Sequence, residues 1–190
     1  ALEAARLDRL VTDLLDLARL GAVDFRIHVT QVDLVDLGQE AAAVWSDRCD
    51  REGVLFRYQT PDRPVSAWTD PLRVRQVMDN LLENALRVSP SGSLIVLAID
   101  RVDQEVIVEV RDSGPGLSAA DVVIAFEPAA LYERYRGLRP VGTGLGLALV
   151  SRLARGLGGR ATAGTAPEGG ARFTVHLPGR QPASDLGSRT

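Results

Sequence analysis

Two strongly β-forming segments separated by a short polar turn constrain the fold of this chain more than any other feature. Residues 94–99 (LIVLAI) and 105–110 (EVIVEV) are rich in Val and Ile, which predicts two consecutive strands. A helix is predicted immediately before them, because Asp70 can cap it, Pro71 suits its first turn and residues 89–92 (SPSG) end it. A helix so close to two strands favours a fold in which helices pack on a sheet.

Helices and strands alternate along the rest of the chain. A loop-rich stretch separates the two strong strands from the last predicted helix. The order of elements predicts an α/β (α+β) two-layer sandwich, in which one mixed sheet carries helices on one face. The apolar periodicity predicts further strands at 26–31, 54–58, 65–68, 160–165 and the final ARFTVHL segment, and helices at 34–52 (capped by Asp33) and 145–157.

Charge and cysteine content exclude several classes of function. The net charge is −3 with a pI near 5.4, so there is no strong basic field for nucleic acid. All 22 basic residues are arginine, so a cation that binds phosphate must be Arg or a metal. Cys49 is the only cysteine, which excludes an intrachain disulfide and a cysteine-based metal cluster. No apolar run is long enough to span a bilayer.

The beginning of the sequence is predicted to form a helix with one apolar stripe. Leu7, Leu10, Leu14 and Leu17 repeat at spacings of three and four residues, and Gly21 ends the pattern. Such a stripe fits either a helix packed on its own domain or one helix of a bundle whose other helices lie elsewhere. The one-sided stripe, at the very beginning of the sequence, favours the bundle.

The predicted helix 71–88 carries polar side chains along one face. Asn80, Asn84 and Arg87 share this face, and Met78 belongs to the apolar face opposite. A solvated helix face is the ordinary interpretation, but asparagine is a poor helix former and such faces usually carry Glu, Gln, Lys or Arg. Two amides one turn apart and a cation next to them suit the binding of Mg²⁺ and a phosphate.

A turn directly after the second strong strand contains the next candidates. Asp112 is followed by Gly114 and Gly116. An Asp/Gly/Pro turn is common and often has no function beyond reversing the chain. The functional interpretation is that the carboxylate accepts a hydrogen bond from the amino group of adenine, while the glycines let the backbone pass close to the base.

A glycine-rich loop opens the last predicted helix. It matches neither the dinucleotide-binding fingerprint nor the P-loop, because its glycine spacing differs and no Gly-Lys follows. Backbone amides at a helix N-terminus can still hold phosphates, and a flexible linker, the alternative, would not run directly into an apolar helix. The candidate residues are Gly142, Thr143, Gly144, Leu145 and Gly146.

The order and spacing of these three motifs resemble the catalytic ATP-binding domain of two-component sensor histidine kinases. This family belongs to the superfamily of DNA gyrase, a heat-shock chaperone and MutL. Residues 70–90 are similar to the family's N box, 112–116 to its G1 box and 142–147 to its G2 box, while 169–178 resembles the closing motif. The resemblance implies the family's Bergerat-type ATP-binding fold, with a mobile lid between the G1 and G2 boxes.

The resemblance also implies ligands and residue roles. The expected ligands are ATP and Mg²⁺. By position in the motifs, Asn84 would ligate Mg²⁺, while Asn80 and Arg87 would lie by the phosphates. Asp112 would accept a hydrogen bond from the amino group of adenine. The glycines of both loops, with Thr143 and Leu145, would form the adenine wall and approach the phosphates.

The sequence departs from the family pattern at several positions. Val88 stands where an aromatic residue is common, and Ala171 stands where threonine is common. Both departures concern the contacts with adenine rather than the existence of the pocket. The aromatic lid motif is either the one at Phe126 or the one at Tyr132, and the sequence leaves both open.

No histidine lies in the helical context of the family's phosphoacceptor. His28 and His176 are predicted in strands, so both are expected to be structural. The resemblance therefore divides the chain into 1–21, the end of a dimerisation hairpin whose first helix is absent; 22–178, the ATP-binding domain; and 179–190, a polar tail expected to be disordered.

Three functions are compatible with these motifs. The first is a kinase domain that donates the γ-phosphate of Mg-ATP to a histidine on a missing helix of a homodimer, for relay to a response regulator. The resemblance implies that this domain is cytoplasmic and that its parent is anchored in the bacterial membrane. The second, an ATP hydrolase of the gyrase or MutL kind, is disfavoured because those enzymes carry Glu where this chain has Asn80, and Glu83 lies about 60° away around the helix. The third is a non-catalytic domain of the same fold.

Overall fold

The computed structural model describes residues 27–138 and 142–179, together with Val11. The predicted N-terminal helix and the tail beyond Gly179 lie outside this part, apart from Val11. The strands are β1 (Thr30–Asp33), β2 (Leu55–Gln59), β3 (Ser66–Thr69), β4 (Leu94–Val102), β5 (Glu105–Arg111), β6 (Arg160–Thr165) and β7 (Ala171–Pro178). The helices are α1 (Leu34–Arg51), α2 (Pro71–Val88), α3 (Ala119–Ile124), α4 (Ala130–Tyr135) and α5 (Gly146–Gly156).

Both long helices begin at aspartate caps, as the sequence predicts. Asp33 accepts a hydrogen bond from the N–H of Val35 at 2.9 Å at the start of α1. At the start of α2, Oδ1 of Asp70 accepts from the N–H groups of Leu72 and Arg73 at 3.0 and 3.2 Å. Each cap satisfies backbone donors that the first helical turn leaves without a partner, a contribution of about 1 kcal/mol per cap.

Five strands form one mixed sheet in the order β2-β4-β5-β7-β6. β2 runs parallel to β4, and every other pair in this sheet is antiparallel. The parallel pair follows from the α2 crossover between β2 and β4, whereas β4 and β5 are joined by the short turn that the sequence predicts. The predicted two-layer α/β architecture is confirmed.

The core lies between the buried face of this sheet and the apolar faces of the helices. Alternate residues of β5 are buried, as expected for a strand with one covered face. Helix α2 presents its apolar side to the sheet, and α5 packs beside it. The helical residues that this packing buries are Val74, Val77, Met78, Leu81, Leu82 and Ala85 in α2, and Ala148, Leu149, Val150, Leu153 and Ala154 in α5. The polar side of α2 is therefore left facing away from the sheet.

The first strand lies later in the chain than the sequence predicts, at Thr30–Asp33, and it belongs to a second sheet that the sequence does not predict. Residues 26–31 were expected to form a strand containing His28, but His28 precedes β1, and its backbone N–H donates to Oδ2 of Asp70 at 3.0 Å. In addition, β1 pairs with β3 in a separate two-stranded sheet instead of joining the main one. Two further hydrogen bonds join the same segments: the N–H of Val65 donates to the Asp33 carboxylate at 3.2 Å, and the N–H of Leu34 donates to the carbonyl of Val65 at 3.0 Å.

The loop-rich stretch between β5 and α5 contains the two short helices α3 and α4. The first begins with a capping box, in which Ser118 and Asp121 each accept from the other's backbone N–H. The second begins at Ala129, whose φ of 60° is unusual for a residue with a side chain. Neither helix was predicted, because both are too short to show a clear apolar period.

Candidate functional site

The polar face of α2, the end of β5, helix α4 and the glycine loop before α5 enclose one pocket. The empty space inside it is about 880 Å³, a volume that includes space open to solvent. The side chains and backbone that line it are those of Asn80, Glu83, Asn84, Arg87, Val88, Asp112, Pro115, Gly116, Leu117, Ala125, Leu131, Tyr132, Tyr135, Gly142, Thr143, Gly144, Gly146, Leu147, Ala171 and Phe173.

Asn80 and Asn84 form part of the α2 wall of this pocket. The amide nitrogen of Asn80 donates to the backbone carbonyl of Gln76 at 2.8 Å, which fixes the orientation of the side chain. A Cβ built on Gly146 would lie 3.2 Å from Oδ1 of Asn80, so this oxygen is close to the glycine loop. Within the described residues, the Asn84 side chain makes no hydrogen bond. Its amide oxygen is therefore available to a ligand.

Arg87 brings positive charge to the same wall. Its Nη2 atom lies 3.2 Å from Oε1 of Glu83, one helical turn earlier. Oε2 of Glu83 lies 2.9 Å from Nη2 of Arg48 on α1. Glu83 therefore bridges two arginines, of which Arg87 lines the pocket and Arg48 does not.

Asp112 lies at the end of β5 with only 1% of its surface exposed. Its Oδ1 atom accepts from the backbone N–H groups of Gly114 at 2.9 Å and Ala171 at 3.1 Å. Because an ionised carboxylate only accepts hydrogen bonds, a group that it binds in the pocket must be a donor, such as an amino group. A buried acceptor held in one orientation is suited to selecting such a group.

Close backbone packing around Asp112 requires glycine at two positions. A Cβ on Gly170 would overlap with the carbonyl oxygen and the carboxylate of Asp112. A Cβ on Gly114 would lie 2.9 Å from the carbonyl oxygen of Val88, in the last turn of α2. The strand ends and helix α2 can therefore meet at the pocket only because these side chains are absent.

The glycine loop connects the pocket to α5. The N–H of Leu145 donates to Oγ1 of Thr143 at 3.3 Å, and Leu145 precedes the first residue of the helix without a side-chain cap. Gly144 has a φ of 81°, which favours glycine. This arrangement directs the loop and the N-terminal end of α5 at the pocket, where a helix stabilises negative charge.

The short helices α3 and α4 are held together by Asp121, which is 1% exposed. Its Oδ1 atom accepts from Arg134 at 2.7 Å, and its Oδ2 atom accepts from the hydroxyl of Tyr135 at 2.6 Å and from Ser118. Burial alone would raise the pKa of Asp121, but the hydrogen bonds from Tyr135, Ser118 and Arg134 hold the pKa well below its usual range. Asp121 is therefore charged at neutral pH.

Helix α4 rests on the glycine loop and forms one side of the pocket. The N–H of Ala129 donates to the carbonyl of Gly144 at 2.9 Å, and a Cβ on Gly144 would lie 2.9 Å from Cβ of Tyr132. Phe126 instead packs edge-to-face on Phe173 of β7, with ring centroids 6.2 Å apart. Helices α3 and α4, residues 119–135, are called the lid below. Of the two aromatic motifs in this region, Tyr132 lines the pocket, whereas Phe126 packs against the core.

Residues 69–181 match the model of the histidine kinase-, DNA gyrase B- and HSP90-like ATPase family. The matched segment covers more than half of the chain and includes α2, the Asp112 turn and the glycine loop. The chain belongs to this family. The resemblance inferred from the three motifs is therefore confirmed.

Individual members of the family agree with this assignment. Signal transduction histidine-protein kinase AfsQ2 of Streptomyces coelicolor is 34% identical over 178 residues, which are 93% of this chain and 31% of AfsQ2. Full-length ShkA, solved in complex with AMPPNP, is 29% identical with a TM-score of 0.79, over 90% of this chain and 35% of ShkA. The ATP-binding domain of PrrB from Mycobacterium tuberculosis is 27% identical with a TM-score of 0.63, over 80% of this chain and 98% of that domain. The chain thus spans about a third of the length of AfsQ2 and ShkA.

The pocket brings together most of the ATPase-family residues expected from the sequence. Asn80, Asn84, Arg87 and Asp112 line it together with Gly116 and the glycine loop. Gly114 and Leu145 are not among the residues that line the pocket, although each adjoins a residue that does, Pro115 and Gly144. Glu83, Gly170 and Tyr135 lie within segments that the sequence singles out, but the sequence does not place them in the binding site. Their contacts with Arg48, Asp112 and Asp121 become visible only in the structure.

Two further properties of the described residues bear on this ATPase-family domain. No group of three or more His, Cys, Asp or Glu residues in this part of the chain is arranged to hold a metal ion. No helix in the described part is long and apolar enough to cross a membrane.

Proposed function

We propose that this chain is the ATP-binding catalytic domain of a sensor histidine kinase. In this reaction the γ-phosphate of Mg-ATP is transferred to a histidine on a separate helix, for relay to an aspartate of a response regulator. The observation that supports this most directly is the convergence of Asp112, Asn84, Arg87 and the glycine loop on one pocket. Each of these groups alone has an ordinary structural explanation, whereas their convergence matches the chemistry of ATP.

The two ends of the pocket differ in chemistry, which fixes the direction of the nucleotide. Asp112 lines the pocket together with apolar side chains such as Leu117 and Phe173, which suit a base that presents an amino group. Arg87 and the glycine loop supply positive charge and backbone N–H groups, which suit phosphates. ATP would therefore lie with adenine at Asp112 and its phosphates between α2 and the glycine loop.

The α2 wall also fits a magnesium ion. Mg²⁺ takes hard oxygen ligands, often only one or two from the protein, with phosphates and water completing the shell. The Asn84 amide oxygen is such a ligand and has no hydrogen bond within the described residues. When bound, Mg²⁺ supplies neutralisation of phosphate charge; the protein's part is to orient the ion through Asn84.

The chain's own residues act mainly by positioning. Phosphoryl transfer needs an aligned donor and stabilisation of charge on the phosphate oxygens, which Arg87 provides. Helix α4 contacts the glycine loop through Ala129 and Tyr132, and this packing would limit the access of water to bound phosphates.

ATP hydrolysis is the second candidate, and the pocket disfavours it. A hydrolase needs a carboxylate placed to activate water, and that position holds Asn80, whose amide donates to a backbone carbonyl. Glu83 also lines the pocket, but both of its oxygens contact arginines. A carboxylate engaged in this way is a poor general base.

The parent protein's partners are also part of the proposal. AfsQ2 is a signal transduction histidine kinase about three times as long as the matched region, so the remaining functions belong to other segments. We infer that the parent is a homodimer through a helical hairpin that includes residues 1–21, is anchored in the bacterial membrane, and phosphorylates a cognate response regulator.

Titration with a fluorescent ATP analogue, with and without Mg²⁺, tests the pocket. Asp112→Ala is expected to abolish detectable binding, and Asn84→Ala is expected to remove most of the Mg²⁺-dependent gain. Asp62→Ala, which removes an exposed carboxylate outside the pocket, serves as the control and should bind normally. Unchanged binding in both pocket variants contradicts the site, and a native chain without binding favours the non-catalytic domain.

A second assay separates the kinase from the hydrolase. The chain is mixed with the dimerisation hairpin of its parent protein and radiolabelled ATP. An acid-labile phosphohistidine on the hairpin supports the kinase, whereas phosphate release without labelling of the hairpin supports the hydrolase. Arg87→Ala should reduce the labelling about 100-fold if this guanidinium stabilises the transferred phosphate.

A further inference from the structure

We propose that Arg48, which lies outside the pocket on α1, sets the electrostatic potential that the pocket presents to nucleotide phosphates. It does so by neutralising Glu83, the carboxylate next to Arg87. This inference rests on the proposed function, because it concerns phosphates in that pocket, and it adds a residue that does not touch the nucleotide.

Glu83 divides its two oxygens between two helices. Oε1 pairs with Arg87 on α2 at 3.2 Å, and Oε2 pairs with Arg48 on α1 at 2.9 Å. The side chains are 17% exposed for Glu83, 24% for Arg87 and 38% for Arg48. The charge closest to bulk water thus belongs to Arg48, and the two less exposed charges lie along the pocket wall.

Contacts with Trp45, outside the pocket, hold Arg48 in place. Its guanidinium carbon lies 4.2 Å from the ring centre of Trp45, a cation–π geometry. Trp45 is itself buried and donates from Nε1 to Asp79 at 2.7 Å. Asp79 pairs with Arg75 on α2 at 3.1 Å. The Arg48 guanidinium is therefore restrained beside Glu83 before any ligand binds.

The net charge of Arg48, Glu83 and Arg87 determines how strongly the pocket attracts an anion. Arg48, Glu83 and Arg87 together carry a net charge of +1, whereas Glu83 and Arg87 alone carry none. Glu83 lines the pocket, so without Arg48 its carboxylate would oppose the attraction between Arg87 and a polyphosphate. The low exposure of Glu83 and Arg87 reduces screening by solvent at this wall.

A purely structural role for Arg48 predicts a different outcome. Partly exposed ion pairs usually contribute little to folding stability, so loss of Arg48 should change the melting temperature only slightly. A role in setting the potential predicts a larger loss for ligands with more negative charge and a loss that salt suppresses.

The test compares binding of fluorescent ATP and ADP analogues by the native chain and by Arg48→Gln. At low salt the variant should bind the ATP analogue about fivefold more weakly, the ADP analogue less so, and the difference should disappear at high salt. Arg51→Gln is the matched control, because it removes the same charge from an exposed position of the same helix and should bind normally. Arg48→Lys keeps the charge and should restore most of the affinity.

A second substitution makes the charge argument decisive. In the double variant Arg48→Gln/Glu83→Gln, Arg87 again contributes a net charge of +1, so ATP-analogue affinity should return close to the native value. Native-like affinity of Arg48→Gln at low salt, or a double variant as weak as the single one, overturns the proposal. If Arg48→Gln does not fold, the single variant Glu83→Gln tests the proposal. It should bind the ATP analogue more tightly than the native chain, and an unchanged affinity would overturn the proposal. A native chain that binds no analogue contradicts the proposed function itself, which is a different result from any of these.

Discussion

The backbone N–H of Ala171 donates to Oδ1 of Asp112 at 3.1 Å, although 59 residues separate them along the chain. In return, the N–H of Asp112 donates to the carbonyl of Ala171 at 3.0 Å. The end of β5 is thus joined to the start of β7 where both strands line the pocket. This reciprocal bonding orients the carboxylate that we expect to recognise adenine, and it links the stability of the sheet to the geometry of the site.

Substitution of Gly170 by Ala should damage both fold and site. A Cβ at this position would overlap with backbone and side-chain atoms of Asp112, which cannot move without breaking the β5–β7 contact. We expect a loss of about 3 kcal/mol in the free energy of unfolding, measured by urea denaturation, and loss of ATP-analogue binding. Gly164→Ala in β6 is the control, because its nearest neighbour would be an arginine side chain at 3.5 Å, and its stability should not fall. Equal behaviour of the two variants contradicts the close-packing argument.

Gly144→Ala should lower the affinity for nucleotide, in addition to a small loss in the free energy of unfolding. Its Cβ would lie 2.9 Å from Cβ of Tyr132 and 3.0 Å from Cα of Ala129, so α4 must move away from the glycine loop. The matched control is Gly137→Ala, which has the same φ of 81° but nothing within 4 Å of the added carbon. Both variants incur backbone strain of about 1 kcal/mol, yet only Gly144→Ala is expected to lower ATP-analogue affinity. Similar affinities in the two variants would count against the contact between the lid and the loop.

Asp121→Asn should loosen the lid without unfolding the sheet. The amide keeps the shape of the carboxylate but loses the charged hydrogen bonds with Arg134 and Tyr135, an effect of about 1–3 kcal/mol. Hydrogen exchange should become faster in residues 119–135 while protection in β5 and β7 persists. Glu133→Gln, which breaks an exposed pair with Arg136, is the control and should leave exchange unchanged.

The same carboxylate predicts how the lid responds to pH. The pKa of Asp121 is lowered in the folded protein, so its contribution to stability is complete above the unfolded value of about 3.9 and is lost as pH falls towards the folded pKa. Protection of α3 and α4 should therefore be constant from neutral pH to about pH 5 and should decline only in stronger acid. Loss of protection between pH 7 and 6 would show that another group controls the lid.

Separate substitutions of Phe126 and Tyr132 should show that the first residue contributes to folding stability and the second to nucleotide binding. Phe126→Ala removes the contact with Phe173 and should lower the free energy of unfolding by about 2 kcal/mol, measured by urea denaturation. Tyr132→Ala should change stability little and reduce ATP-analogue affinity about tenfold, because this side chain lines the pocket. The opposite pattern would assign the pocket role to Phe126.

Much of the fold could be predicted because its signals are local. Asp70 followed by Pro71 marks the start of α2, and the SPSG segment marks its end, so both bounds agree with the structure. The polar and apolar faces of α2 follow from its period, and the two Val/Ile-rich segments identify β4 and β5. These elements depend on neighbouring residues in the chain, which is the information that a single sequence contains.

Sequence alone determined the residue types of the candidate site, namely two amides, a carboxylate, an arginine and a glycine loop in a recognisable order. Only the tertiary structure decided which of them meet, because contacts such as Ala171 to Asp112 join strands that are distant in the chain. It likewise placed β1 with β3 in a separate sheet and turned Tyr132, rather than Phe126, towards the pocket. The physical reason is that pairing partners and side-chain orientation depend on packing between elements, which local propensity does not encode.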